Sequence, residues 1–298
     1  MVPVIRTQQL SKRYGEQFAL RGLDLEVHQG EVLGYLGPNG AGKTTTIRLL
    51  LGLISATSGS ATVFGLNVER DATEAHRRLA YVPGDVSLWP SLTGLETLAL
   101  LGRVHGLVDA AYRDELVERF ELDPSKRVRA YSKGNRQKVS LIAALMTRAE
   151  LLILDEPTSG LDPLMERTFR DCMLEAKRNG QTVFLSSHIL SEVEALCERV
   201  AILRDGQLLE LGTLTQLRHL LALNVEATFD GEPPDLSSVP GVMSTTVQDH
   251  RVRCQVTGSV APLLHVLAAA GVREVLSTKP SLEELFLSHY GAHRESGA

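Results

Sequence analysis

The sequence predicts an α/β fold for most of the chain, followed by a smaller α+β unit. A glycine-rich stretch, Gly37 to Thr44, stands between the apolar run Val32 to Leu36 and the helix-like run Thr45 to Leu51, an order typical of strand, loop and helix. A second apolar run, Leu151 to Leu154, ends in two carboxylates, as expected of a buried parallel strand that delivers acids to its C-terminal edge. After residue 214 the pattern changes to short alternating strands, which predicts the second unit.

The composition is typical of a soluble globular protein with two domains. The chain has 298 residues, of which 43% are hydrophobic and 22% are charged. Its start lacks the basic-then-apolar order of a signal peptide, and runs such as Val139 to Met146 are too short to span a bilayer, so we expect no membrane span. The net charge is −5 without a dense Lys/Arg cluster, and we therefore predict no nucleic-acid partner.

The cysteines Cys172, Cys197 and Cys254 are scattered along the chain. They form no C-x-x-C pair and have no histidines at metal-binding spacing. This distribution predicts a reducing cytoplasm, no structural zinc and three core thiols.

The stretch Gly37 to Thr44 fits the phosphate-binding pattern G-x-x-x-x-G-K-[ST]. Its glycines let the backbone curl so that N–H groups point at a phosphate chain, and the following helix adds the partial positive charge of its N-terminus. Lys43 reaches the terminal phosphates in this prediction, and Thr44 offers a hydroxyl to Mg²⁺. A glycine-rich turn that matches by chance is the alternative, which the strand-to-helix setting disfavours. The predicted nucleotide-binding residues of this segment are Gly37, Asn39, Gly40, Ala41, Gly42, Lys43, Thr44 and Thr45.

Upstream, Leu23 to Val27 alternates apolar and polar residues, which predicts a half-buried strand in an antiparallel edge sheet. Tyr14 precedes this strand. An exposed aromatic ring there can stack on a purine, although such a residue taken alone is more often core or ordinary surface.

After the loop helix, the patterns predict a strand at Ser60 to Phe64 and a polar helix around Ala72 to Leu79. From Thr93 to Phe120 the apolar residues take helical spacing, and glycines such as Gly106 divide this stretch into at least two helices. We therefore predict a helical insertion over about residues 87–130.

A small Ser/Gly segment, Tyr131 to Gln137, precedes a predicted helix from Lys138 to Thr147. Ser132 is a candidate N-cap. A helix that opens on such a segment offers a second place for an anion, a weak signal by itself.

The acids at the end of the run Leu151 to Leu154 are Asp155 and Glu156. Asp155 can hold Mg²⁺, often through water, and Glu156 can polarise an attacking water. Without further context, such a pair is explained as well by a helix cap.

Further on, Ser159 to Pro163 predicts a turn into a helix that reaches about Lys177, and Thr182 to Leu185 is the next strand. His188 stands near the end of that strand, where a lone histidine is either a functional group or a generic loop residue. Residues Arg199 to Leu211 predict a hairpin with a two-residue turn.

In this order, residues 1 to about 213 resemble the nucleotide-binding domain of ATP-binding cassette (ABC) transporters. The resemblance is carried by Tyr14, the loop Gly37 to Thr44, a signature at Tyr131 to Asn135, the strand Leu151 to Glu156, the segment Ser159 to Asp162, and His188. It implies a P-loop NTPase cassette with a mixed core sheet, an antiparallel edge sheet and a helical insertion. It also implies an ATPase that uses ATP and Mg²⁺.

The resemblance also implies roles for single residues. Tyr14 stacks on adenine, Thr44 and Asp155 hold Mg²⁺, and Glu156 and His188 are catalytic, with His188 holding the γ-phosphate and the attacking water. The signature residues Ser132, Gly134 and Asn135 contact ATP held by the other subunit. Two chains are thus expected to form a homodimer with two shared sites, head to tail.

Two departures from the family pattern stand out. The signature has Lys133 and Asn135 where the commonest family form has glycine and glutamine. At Gly84, before Asp85, the family usually has a glutamine that touches Mg²⁺ and relays the state of the permease. Since Gly84 has no side chain, either Asp85 substitutes in part or the relay depends on the backbone.

The last part, residues 214–298, is predicted to be a small α+β accessory domain. Val225 to Phe229 and Arg251 to Val256 alternate as strands do. Four apolar residues are predicted to fall on one helical face: Val260, Leu263, Leu264 and Leu267. The ending Pro280 to Leu287 is similar to the C-terminal extension of ABC subunits that serve bacterial drug and antibiotic exporters with a separate permease.

The resulting hypothesis is an ATP-hydrolysing exporter subunit at the cytoplasmic face of the cell membrane, peripheral through an integral membrane permease. The alternatives are a soluble ABC ATPase that acts on ribosomes or DNA and an ATP-gated regulator that scarcely hydrolyses ATP. Trp89, the single tryptophan, is predicted to lie on the surface that receives a short cytoplasmic helix of the permease. A core anchor is the alternative for this residue.

Overall fold

The computed structural model describes residues 3–106, 108–219 and 223–278. The chain divides into two compact units, with the boundary between Leu211 and Gly212. The strands that form the first unit are β1 (Ile5–Tyr14), β2 (Gln17–Val27), β3 (Val32–Leu36), β4 (Ser58–Val63), β5 (Leu66–Asn67), β6 (Leu79–Val82), β7 (Leu151–Asp155), β8 (Thr182–Ser187), β9 (Arg199–Arg204) and β10 (Gln207–Thr213). Its helices are α1 (Lys43–Leu50), α2 (Ala72–His76), α3 (Gly94–His105), α4 (Ala110–Arg119), α5 (Lys133–Leu145), α6 (Pro163–Arg178) and α7 (Leu190–Leu196).

The core sheet of this unit has the strand order β10-β9-β3-β8-β7-β6. Strand β3 runs parallel to β8 and β9, and β7 runs parallel to β6 and β8. The strands β3 and β7 are buried along their whole length, which explains their continuous apolar sequence. Asp205 and Gly206, both with positive φ, make the predicted two-residue turn between β9 and β10.

The edge sheet has the order β2-β1-β4-β5, with β1 antiparallel to both β2 and β4. Along β2, Leu23, Leu25 and Val27 are buried and alternate with more exposed residues, as the sequence predicts. The predicted helix at Ala72 to Leu79 is wrong in extent. It ends at His76, and Leu79 begins β6 because its pairing with β7 buries it in the core sheet.

The helical insertion consists of α3 and α4, each started by a side-chain cap. Thr93 accepts from the N–H of Glu96 in a capping box, and Asp109 caps α4. Helix α5 begins at Lys133, earlier than the predicted Lys138, because Ser132 caps it by accepting from the N–H of Asn135.

The second unit contains α8 (Leu214–His219), β11 (Leu223–Phe229), β12 (Val242–Gln248), β13 (Arg251–Val256), α9 (Ala261–Ala269) and β14 (Val272–Thr278). Its sheet has the order β12-β13-β11-β14. On α9, Leu263 and Leu267 are buried, whereas Leu264 is 47% exposed, so the prediction of one shared apolar face is wrong for Leu264. The segment Pro280 to Leu287 lies outside the described residues.

Two further expectations concern the whole chain. Cys172, Cys197 and Cys254 are free and buried, as core thiols are. None of the helices in the described ranges has the length and apolarity that a bilayer crossing requires.

Candidate functional site

Adjacent parallel strands bring the predicted chemical groups to one edge of the core sheet. The phosphate loop follows β3, Asp155 ends β7, and Ser187 ends β8. Leu36 is in register with Ser187, and Asp155 is in register with Ser186. Because the carboxyl ends of parallel strands lie side by side, residues far apart in sequence meet here.

The phosphate loop is held in a conformation that requires glycine. Gly42, the N-cap of α1, has φ 105°, and a β-carbon there would lie 2.5 Å from the carbonyl oxygen of Ala19 in β2. The loop is also bonded to the β9–β10 turn, since the N–H of Gly206 donates to the carbonyl of Ala41. The N–H groups at the start of α1 therefore keep a fixed direction toward the site.

Lys43 is only 5% exposed and lies at the centre of this loop. Its Nζ donates to the carbonyl oxygens of Gly37 at 2.7 Å and Pro38 at 3.2 Å. It also forms an ion pair with Glu156, with 3.3 Å between Nζ and Oε1. These contacts hold the ammonium group between the loop backbone and the predicted catalytic acid.

Asp155 is 2% exposed and is bonded on both carboxylate oxygens. Thr44 Oγ1 donates to Oδ2 at 2.8 Å, and Ser186 Oγ donates to Oδ1. A hydroxyl beside a carboxylate is the oxygen chemistry that Mg²⁺ prefers, with other positions left to waters and phosphates. Among the described residues, no group of three or more His, Cys, Asp or Glu side chains is placed to hold a metal ion.

Glu156 and His188 are neighbours, with 3.2 Å between Glu156 Oε1 and His188 Nδ1. Glu156 has φ 47°, a left-handed conformation that costs a non-glycine residue about 1 to 3 kcal/mol. Its N–H donates to the carbonyl of Ser186 at 3.1 Å, which holds this turn against β8. Such strain persists where surrounding contacts over-determine the backbone, and it is common at active sites.

The signature residues are placed differently. Ser132, Lys133 and Gly134 form the start of α5, and the first turn of this helix packs on residues 157–160. A β-carbon at Gly134 would lie 2.4 Å from the carbonyl oxygen of Gly160, and Lys133 Nζ donates to Ser159 Oγ at 2.9 Å. Gln137 Nε2 donates to the carbonyl of Pro157 at 2.9 Å. Thus the loop that follows Glu156 is attached to the signature helix of the same chain.

Comparison with known proteins identifies the family. The model of the ABC transporter family matches residues 20–159. The daunorubicin resistance ATP-binding protein DrrA3 of Streptomyces coeruleorubidus is 37% identical over 95% of this chain and 94% of its own length. The chain belongs to the ABC transporter ATP-binding proteins. It is therefore an ABC ATPase, and the predicted family is confirmed.

Other relatives of this ABC ATPase carry similar names. The linearmycin resistance ATP-binding protein LnrL of Bacillus subtilis is 30% identical over 97% of this chain and 98% of its own length. The bacitracin transport ATP-binding protein BcrA of Bacillus licheniformis is 41% identical over 70% of this chain and 70% of its own length.

Solved structures confirm the predicted cassette fold. The ATP-binding subunit of an ABC transporter superimposes with a TM-score of 0.68 at 33% identity, covering 73% of this chain and 92% of that chain. A bacterial ABC transporter cassette solved as a dimer has a TM-score of 0.63 at 23% identity, covering 70% of this chain and 98% of that chain.

In this ABC ATPase, Tyr14 lies at the end of β1 and is 50% exposed, with Lys12 Nζ 5.2 Å from its ring centroid. It belongs to the β1–β2 hairpin, whose residue Ala19 lies against Gly42 of the phosphate loop. The ring is therefore half exposed, with Lys12 against it. Its role at adenine stays a prediction.

Gly84 lies directly over the acid predicted to bind the metal. A β-carbon at this position would be 3.3 Å from the carbonyl oxygen and 3.6 Å from Oδ2 of Asp155. A side chain at residue 84 would thus reach the site, and glycine leaves that space open.

Beyond Gly84 the chain reaches an apolar groove. Trp89 is 49% exposed, so the alternative of a core anchor is wrong. It lines a groove of about 600 Å³, which we call the Trp89 groove. The groove is lined by Leu51, Leu53, Thr73, His76, Arg77, Leu79, Ala80, Tyr81, Pro83, Val86, Ser87, Leu88, Trp89, Leu101, Val104, His105, Ser140, Ala143, Ala144 and Thr147.

Sequence reasoning missed several contacts of the site. Ser186, which bonds Asp155, and Gln137, which bonds the loop after Glu156, match no short chemical pattern. Nor does the sequence reveal that Lys43 pairs with Glu156, because the two residues are brought together only by the order of strands in the sheet.

Proposed function

We propose that this chain is the ATP-binding and ATP-hydrolysing subunit of a bacterial drug or antibiotic exporter, which works as a homodimer with a separate membrane permease. The observation that supports the hydrolytic site best is the cluster at the edge of the core sheet in which Lys43 Nζ and His188 Nδ1 each lie within 3.3 Å of Glu156 Oε1. A strained acid between a buried lysine and a histidine is typical of an active site, whereas an ordinary surface loop has no need of it.

Binding of ATP begins at the phosphate loop. The terminal phosphates accept from the N–H groups at the start of α1 and from Lys43 Nζ, which exchanges its contact with Glu156 for a phosphate oxygen. The exchange leaves the Glu156 carboxylate available for water. Thr44 and Asp155 would hold Mg²⁺, and the cation would supply neutralisation of the phosphate charge.

Hydrolysis then depends on Glu156 and His188. Glu156 accepts a hydrogen bond from the attacking water and orients it, and His188 contacts both Glu156 and the γ-phosphate. Glu156 has a positive φ, and its Oε1 lies 3.2 Å from Nδ1 of His188, which follows the end of β8 at Ser187.

The second half of each site comes from another copy of the chain. Within the described residues, the hydrogen bonds and ion pairs of the first turn of α5 go to its own helix and to residues 157–160, and none goes to Lys43, Thr44 or Asp155. In this proposal Ser132, Gly134 and Asn135 contact the γ-phosphate of ATP held by the partner copy. The dimeric state of a cassette with the same fold supports this arrangement.

The Trp89 groove is the surface proposed for the permease. Apolar side chains such as Leu53, Val104 and Trp89 line it while remaining exposed, at 60%, 79% and 49%. An exposed apolar patch of this kind marks an interaction site. The occupant is an amphipathic cytoplasmic helix of the permease, which keeps the ATPase at the cytoplasmic face of the membrane.

The export of drugs or antibiotics is supported by the relatives, which are named for resistance to linearmycin and daunorubicin and for bacitracin transport. Purification of this chain from detergent-solubilised membranes of its own host tests the proposal. A stable membrane complex with ATPase activity is expected. A chain that purifies with ribosomes or DNA instead would contradict the permease and favour the soluble alternative.

A further inference from the structure

Glu192 is a half-buried residue near the site whose carboxyl oxygen Oε1 is shielded from solvent and which the proposed reaction does not use. It lies in the first turn of α7, and its carboxyl points inward rather than to solvent. Burial raises the pKa of Glu192, and the repulsion from Glu166 adds to this, whereas the hydroxyls of Ser187 and Thr158 and the charge of His188 act in the opposite direction. A carboxyl shielded from water requires an explanation, because burial of an acid without partners lowers the free energy of unfolding.

On one side, Glu192 holds the segment that carries His188. Ser187 Oγ donates to Glu192 Oε2 at 2.5 Å and accepts from the N–H of Ile189 at 2.9 Å. Ser187 is 2% exposed, so this small network is shielded from water. It fixes the backbone immediately before and after His188.

On the other side, Glu192 faces the segment that follows Glu156. The Thr158 hydroxyl lies near enough to lower the pKa of the same carboxyl, and Thr158 is 8% exposed. Within the described residues, Glu192 Oε1 has no partner that meets hydrogen-bond geometry, so the link to Thr158 is weaker than the bond to Ser187. Ser187 immediately precedes His188 in the chain, and Thr158 follows Glu156 by two residues.

We propose that Glu192 is a positioning residue that joins these two segments and thereby sets the contact between Glu156 and His188. The inference deepens the proposed hydrolytic mechanism and rests on it. His188 needs such support because its side chain is 47% exposed, so packing alone does not hold the imidazole 3.2 Å from Glu156. A displacement of about 1 Å at a catalytic group can lower a rate about 100-fold.

The test compares Glu192→Ala, Glu192→Gln and the control Glu198→Gln in the full-length chain. Glu198 follows the same helix and pairs with Lys177 on the surface, away from both catalytic segments. Glu192→Ala is expected to lower kcat for ATP hydrolysis about 10- to 100-fold with ATP affinity changed less than about threefold. Glu192→Gln keeps the shape and can bond both hydroxyls, so its kcat is expected within about threefold of the wild type.

Two readouts separate positioning from general stabilisation. If Glu192 acts through His188, the double variant His188→Ala/Glu192→Ala has the same kcat as His188→Ala alone. Amide hydrogen exchange in Glu192→Ala is expected to rise in residues 157–160 and 187–190 and to remain unchanged elsewhere in the core sheet. Exchange needs no ATP, so it tests the inference even if the hydrolytic mechanism fails.

The proposal is overturned by wild-type kcat and exchange in Glu192→Ala. It is also overturned if the losses from Glu192→Ala and His188→Ala multiply, or if Glu192→Gln is as impaired as Glu192→Ala. Should Glu192→Ala not fold, Thr158→Val replaces it, since valine keeps the volume and removes the hydroxyl. A lower kcat with faster exchange in residues 187–190 is then expected, and unchanged values would overturn the proposal.

Discussion

Replacement of Lys43 by alanine removes the cation from the centre of the phosphate loop. In the structure Lys43 Nζ is within 3.3 Å of two loop carbonyls and Glu156 Oε1, so its position is fixed before any phosphate arrives. The binding free energy then includes little cost for ordering this side chain. A charge-assisted hydrogen bond of this kind contributes about 1.5 to 3 kcal/mol.

That free energy corresponds to a roughly 10- to 150-fold higher Kd for ATP. The loss is expected at the upper end, because the substitution also leaves Glu156 without its cation, and the uncompensated carboxylate repels the phosphates. Isothermal titration with ATP and Mg²⁺ measures Kd directly. Lys126→Ala is the control, since Lys126 is a surface residue paired with Asp123, and its Kd should equal that of the wild type.

A Lys43→Ala protein that is folded and binds ATP with wild-type affinity would refute the assignment of the phosphate site. Thermal unfolding in the absence of nucleotide shows whether the variant is folded. The free energy of unfolding should fall by about 1 to 3 kcal/mol, because the acceptors that Lys43 bonds lose their donor.

Three other substitutions test the remaining parts of the site. Glu156→Gln should retain ATP binding, lower kcat about 100-fold or more, and give an ATP-dependent dimer in gel filtration; unchanged turnover would exclude Glu156 as the group that orients water. Gly134→Ala places a β-carbon 2.4 Å from the Gly160 carbonyl oxygen, so it should weaken the ATP-dependent dimer of that Glu156→Gln variant. A dimer of normal stability would show that the signature helix can shift without a loss of free energy. Trp89→Ala should leave folding and the ATPase activity of the isolated subunit intact while abolishing transport with the permease, and full transport would remove Trp89 from the coupling surface. Leu174→Ala, an exposed apolar residue of α6, is its control and should transport normally.

Patterns that depend on neighbours in the chain were predictable from the sequence. The phosphate loop is one, because glycine at φ 105° and a following helix are local properties of Gly42 and the residues after it. The run from Leu151 to Asp155 is another, since a strand buried on both faces has to be continuously apolar. The cap at Ser132 was also predicted, although the start of α5 was placed too late.

The solvent exposure of a side chain and the residues that it contacts were less predictable, because both depend on what packs against it. Leu264 has the spacing of a core residue and yet is exposed. Trp89 is a large aromatic residue of the kind that often anchors a core, and yet it lines a groove. Sequence periodicity indicates which residues share a face of a helix. It does not show how much of that face is covered.

The sequence by itself determined the family, the phosphate loop and the pair of acids at the end of β7. Each of these depends on short contiguous segments, in which neighbouring residues specify the local backbone conformation. Only the tertiary structure decided that Lys43 and His188 both contact Glu156 Oε1 and that Glu192 bonds Ser187, the residue before His188. These groups come from separate strands and helices. Their distances are set by the order β3-β8-β7 in the core sheet, a long-range pairing that no local pattern encodes.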